Sequence, residues 1–138
     1  MSRFCLTGRV PTPAVAAALL AVAILAALSI LQLAVALGAP LGRFVWGGQH
    51  RVLPRRLRIG SAVSIVIYIG IALVLLDRAA VIDAFGGEQF AAIATWVIFA
   101  YFMLGIVANA ASRSKPERYT MAPACVVLAA CTLVIALG

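Results

Sequence analysis

Acidic side chains are scarce: only Asp77, Asp83, Glu88 and Glu117 stand against eleven lysines and arginines in 138 residues. Scarcer still is charge of either sign inside the four stretches 14–37, 59–76, 90–111 and 121–137, which contain none. Proton-coupled transporters and pumps keep an acid or a histidine within the membrane to load and unload the proton. No such residue lies in any of these stretches, and the single histidine, His50, lies outside them. Small four-helix multidrug exporters rely on a glutamate in their first helix, and this chain has none there. Of the three cysteines, Cys5, Cys125 and Cys131, no two form the C-x-x-C pair that quinone-linked thiol oxidases need. Cys125 and Cys131 point about 240° apart around a helix of about 3.6 residues per turn, so both read as packing residues. Neither a metal site nor a cofactor site is expected.

What the chain does have is apolar length. Hydrophobic residues make up 65% and charged residues 11% of it, with a mean hydropathy of +1.14. A soluble domain holds roughly 45–50% apolar and about 25% charged residues. A run of about 20 uncharged apolar residues is what a helix needs to cross about 30 Å of hydrocarbon. The four runs therefore predict an all-α, polytopic membrane protein: a single domain over 1–138, with four transmembrane helices at about 14–37, 59–76, 90–111 and 121–137 in an up-down bundle. The connecting segments are too short for a soluble domain of about 50 residues or more, so any function is built in or on the bundle. The first run resembles a secretory signal in following Arg3 and Arg9 and in ending near Ala34-Val35-Ala36. Its 24 residues exceed the usual signal core of about 7–15, and a retained first helix is the expectation.

Turn residues divide the runs. Thr7-Gly8 and Pro11-Thr12-Pro13 predict a turn before the first helix, and Gly38 and Pro40 its end. The stretch Gly38 to Arg58 mixes four glycines and two prolines with Phe44, Trp46 and five arginines. Aromatic rings beside arginine suit the headgroup layer, so this loop is expected to lie along the membrane surface. The β-branched residues of the second run (Val63, Ile65, Val66, Ile67, Ile69, Ile71) do not make it a strand, because an isolated strand leaves its backbone groups unpaired in hydrocarbon. Asp77 is expected to pair with Arg78 or to cap, and Pro123 to fall in the first turn of the fourth helix.

Cytoplasmic loops carry the excess of lysine and arginine. Eight of these residues fall in the first and third loops, against Arg3, Arg9 and Arg78 on the opposite side. Both termini are therefore expected outside, with loops 38–58 and 112–120 cytoplasmic.

Residues with chemistry are few. Arg51, Arg55, Arg56 and Arg58 are candidates for binding anionic lipid headgroups. Ser29, Gln32, Ser64 and Asn109 are candidates for interhelical polar contacts, each worth about 0.6 kcal/mol in a bilayer. With Ser61 they are also the candidate lining of a polar path. Gly42 to Gln49 has the glycine spacing of a phosphate loop but ends in Gly48-Gln49 instead of lysine and a hydroxyl residue, and follows no strand. His50 has no carboxylate in its loop to orient it, so a lipid-phosphate enzyme is the weakest of the readings. The basic residues sit at the ends of apolar runs, which points to lipid headgroups and away from nucleic acid.

Gly38-Ala39-Pro40-Leu41-Gly42, Trp46-Gly47-Gly48, Leu53-Pro54 with the arginines after it, and the segment Ser112 to Arg118 resemble a group of small four-helix membrane proteins of actinobacteria and bacilli. The resemblance implies the fold and a bacterial plasma-membrane location, and it carries over no catalytic residue. The expected function is a non-enzymatic accessory protein or self-associating bundle, in a homo-oligomer or a larger membrane complex, with a basic loop on anionic lipid. The alternative is a small transporter or channel-like homo-oligomer.

Overall fold

The computed structural model describes residues 12–138; Arg3, Arg9, Cys5 and the turn expected at Thr7-Gly8 and Pro11 lie outside the described residues. Four long helices make up most of it: α1 (Pro13–Ala36), α2 (Arg55–Arg78), α3 (Glu88–Ala110) and α4 (Lys115–Leu137). Their caps follow from local chemistry. The Thr12 side chain accepts from the Val15 amide and Pro13 opens α1, while Ser114 accepts from the Glu117 amide at the start of α4. Leu37 and Gly38, the latter at φ 101°, close α1.

Each helix is long and apolar enough to cross a membrane. At a rise of about 1.5 Å per residue, 23 or 24 residues span about 35 Å. The helices form an up-down bundle in which α1 packs on α2 and α4, and α3 on α4. Contact between α2 and α3 is the slightest of the four neighbouring pairs. Ala18, Ala21 and Leu25 of α1 meet Leu75 of α2, Phe102 of α3 and Leu128 and Ile135 of α4 in a single core. Alanine on α1 lets its neighbours approach closely, which helices in lipid need because hydrocarbon tails remove the hydrophobic drive between them. The outward surfaces are apolar too: Ile30, Val66, Leu104 and Val107 are each two-thirds or more exposed. A surface of that kind is at home only in lipid, and the protein is a multi-pass membrane protein.

Two helices start a full turn or more before their apolar runs. α2 begins at Arg55 where the run begins at 59, and α4 at Lys115 where the run begins at 121. The caps at Pro54 and Ser114, not the hydrocarbon boundary, set the helix starts. Pro123 consequently lies inside α4, beyond its first turn, and cannot supply an N–H to the Tyr119 carbonyl. At the opposite end Asp77 accepts from the Ala84 amide and closes the turn after α2, and Arg78 reaches the Ala136 carbonyl near the end of α4.

Candidate functional site

Loops 1 and 3 meet at one end of the bundle, and there the first loop folds into a cap. Two short 3-10 turns, Gly42–Phe44 and Trp46–Gly48, fold it back on itself. The Gly42 amide donates to the Arg51 carbonyl across the base of the loop. A Cβ on Gly42 would lie 1.8 Å from the His50 carbonyl oxygen, so no other residue permits this crossing. Val45 and Leu53 are buried with Val35 of α1 and Met121 of α4 in a second apolar cluster beneath the cap. The loop is thus bound to the bundle end by its own small core.

Three polar contacts fix it further. The Trp46 indole donates to the fully buried Ser61 hydroxyl of α2 at 3.0 Å, its ring lying over Gly60. Arg58 donates from Nε to the Leu53 carbonyl, and its guanidinium lies against Gly38 at the end of α1. The Ser114 hydroxyl donates to the Arg43 carbonyl, which joins loop 1 to the cap of α4. Beside it the Ser112 hydroxyl donates to Glu117, a carboxylate whose residue is only 8% exposed.

Around this cap stand the charges. Arg43, Arg51, Arg55, Arg56, Arg113 and Lys115 are exposed, Arg58 and Arg118 half-buried, and among the described residues Glu117 is the only acid at this end. The opposite end, among the described residues, holds Arg78 against Asp77, Asp83 and Glu88. Arg43 lies over the Phe44 ring and Arg118 over the Tyr119 ring, at 5.0 and 5.1 Å from the ring centres.

No family model, curated protein or solved structure matches the chain. The site therefore rests on its geometry. Of the four arginines singled out from the sequence, Arg51, Arg55 and Arg56 share this exposed rim, while Arg58 is drawn inward as a brace for the loop.

The polar candidates inside the bundle separate. Ser64 donates to the Gly60 carbonyl of its own helix. Asn109 donates to the Gly105 carbonyl of α3 and also reaches the Cys125 sulfur of α4 at 3.5 Å, a contact between helices. Ser29 is half-buried within α1. Gln32 is 9% exposed and its Oε1 is buried without a partner among the described residues, although the Tyr68 side chain of α2 faces the same amide. Cys131 is buried in the core and Cys125 packs against Gly105, both as free thiols. His50 is exposed on the cap. Glu117 was passed over by sequence reasoning, and Ser61, read there as part of a polar lining, instead accepts from the Trp46 indole. Gly60-Ser61, a small pair at the membrane boundary, could have marked the landing place of an aromatic ring, but nothing in the sequence paired it with Trp46.

Proposed function

We propose that the protein is a non-enzymatic bundle of a bacterial plasma membrane that docks its basic end on anionic headgroups of the cytoplasmic leaflet. There it serves as an accessory subunit or a self-associating unit. Both termini then lie outside. The four-helix bacterial group that the loop motifs resemble supports the same location.

The observation that carries this reading is the folded cap, which displays Arg51, Arg55 and Arg56 from a fixed platform. Preorganised cations give up less conformational freedom on meeting phosphate than cations on a slack loop. The placement of Arg55 and Arg56 supports it too. They lie in the first turn of α2, where the helix dipole disfavours cations by about 0.3–1 kcal/mol each. A charge placed against the helix's own preference calls for a compensating partner, and a phosphate surface supplies one.

The test is lipid retention by the purified protein in nanodiscs. Near an anionic surface each arginine contributes about 1 kcal/mol. Replacing Arg51, Arg55 and Arg56 with glutamine should then weaken binding to anionic lipid by about 100-fold. The effect should shrink as salt rises, since such attraction is screened within about 10 Å at 0.1 M ionic strength. Unchanged retention would reduce these arginines to topology signals.

A second reading, a small transporter or channel-like oligomer, draws on one observation, the unpartnered Gln32 carbonyl. Buried polar groups normally find partners, and one left open within a bundle is where a passing solute could bind. Solute flux in vesicles that disappears on Gln32→Met would support it.

A further inference from the structure

The tip of loop 1 is held in a conformation that one of its residues resists. Trp46, Gly47 and Gly48 stand in succession in the left-handed region, at φ 52°, 77° and 69°. Glycine enters that region freely, but for a bulky side chain it is a strained state that the surroundings must hold. What holds Trp46 is on α2: its indole donates to Ser61 at 3.0 Å and its ring covers Gly60. The residue is still 42% exposed, so its seat on the helix is shallow.

Seating the tip also gathers like charge. The bond from Ser114 to the Arg43 carbonyl sets Arg43 beside the loop that carries Arg113 and Lys115. The bond from Trp46 to Ser61 lays the tip against the helix that opens with Arg55 and Arg56. Among the described residues only Glu117 opposes them at this end, and its carboxylate already accepts from Ser112. Gathered cations repel one another and disfavour the compact arrangement. We infer that the Trp46–Ser61 contact is a latch that anionic lipid closes. Backbone strain and repulsion favour an open loop, whereas headgroup phosphates that bridge loop 1 and α2 cancel the repulsion and favour the closed one. This rests on the docking of the basic end on anionic lipid and adds a regulated element to it.

A ligand that binds one of two states better shifts the protein toward that state, and the coupling is reciprocal. If lipid closes the latch, loosening the latch must weaken lipid binding although no charge is removed. Ser61 is uncharged and fully buried, so plain attraction between a basic surface and anionic lipid is indifferent to its hydroxyl.

The test uses the full chain with Trp96→Phe, which leaves Trp46 as its single tryptophan. It is placed in nanodiscs of phosphatidylcholine, or of equal parts phosphatidylcholine and phosphatidylglycerol. In the mixed discs Trp46 should emit further to the blue and be quenched less by acrylamide, which is uncharged and so insensitive to the surface potential. In phosphatidylcholine alone, added salt screens the arginines from one another and should move both readings the same way. Ser61→Ala, and in the parent Trp46→Phe, which keeps a ring but no donor, should each weaken retention of phosphatidylglycerol by up to about 5-fold, the worth of one hydrogen bond. Trp46 lies on the loop, so its variant keeps the test open should Ser61→Ala disturb the packing of α2. Trp46 readings that are equal in the two lipids, or shifted to the red in the mixed discs, would overturn the latch and leave the docking of the basic end intact. So would variants that retain phosphatidylglycerol as well as the parent does. Readings unmoved by salt would overturn repulsion as the opening force. A parent that retains no more phosphatidylglycerol than phosphatidylcholine would overturn latch and docking together.

Discussion

At the scale of single residues, two positions bear opposite relations to their surroundings. Gln32 brings a polar amide into an apolar bundle and leaves Oε1 without a partner among the described residues. An unmet buried acceptor costs about 1–3 kcal/mol in a soluble protein and less in a bilayer, where bonded pairs themselves average about 0.6 kcal/mol. Gln32→Met keeps the volume and removes the unmet group, so it should raise the thermal midpoint in mild detergent, by the equivalent of about 1 kcal/mol. A lower midpoint would show that the amide is satisfied in the membrane. Gly60 is the reverse case, a residue chosen for what it leaves out. A Cβ there would come within 2.7 Å of the Trp46 ring. Gly60→Ala should push the indole off Ser61 and into the headgroup layer. In a Trp96→Phe background, where Trp46 is the only tryptophan, this reads as a red shift of emission and faster quenching by iodide.

At the scale of elements, the four runs without charge marked every helix, because the cost of charge in hydrocarbon is large enough to write itself into the sequence. The ends were less legible. Hydropathy locates the hydrocarbon boundary, but α2 and α4, capped by Pro54 and Ser114, begin four and six residues earlier than the runs suggest. The glycines and prolines of loop 1 were readable as turns, and its aromatic and arginine content as a surface segment. Its closure was not readable, because it depends on meetings across sequence: Trp46 with Ser61, Gly42 with Arg51, Arg43 with Ser114. The candidate site divided the same way. Arg51, Arg55 and Arg56 were visible as a charge cluster, but only the folded loop separates them from Arg58, which braces Leu53. α2 also allows its arginines to be tested against its own stability. Exchanging Arg55 and Arg56 for glutamate puts negative charge at a helix N-terminus, where each is favoured by about 0.3–1 kcal/mol. The double variant should therefore be more heat-stable than the parent in uncharged detergent, yet retain less anionic lipid. A variant that loses stability in uncharged detergent would mean that the arginines serve the fold.

At the scale of the whole molecule, charge asymmetry belongs to the assembled bundle. Arg43 of loop 1 and Ser114 of loop 3 are 71 residues apart in sequence, yet Ser114 bonds to Arg43, so the lysines and arginines of the two loops share one end of the bundle. Orientation and lipid binding would then draw on the same charges, and a variant that disturbs both would be uninformative. The numbers permit a separation. Replacing Arg51, Arg55 and Arg56 leaves Arg43, Arg58, Arg113, Lys115 and Arg118 at that end, still an excess over Arg78 with Arg3 and Arg9. Since it is the excess of lysine and arginine that orients the helices, the triple variant should keep the proposed orientation. A reporter fused after Gly138 that is active only in the cytoplasm should stay silent in parent and triple variant alike. Activity in the parent would reverse the proposed orientation, and the basic cap would then face the outer surface. Activity in the triple variant alone would show that these three arginines hold the topology by themselves, and any loss of lipid retention would have to be measured again at a position that leaves the orientation intact.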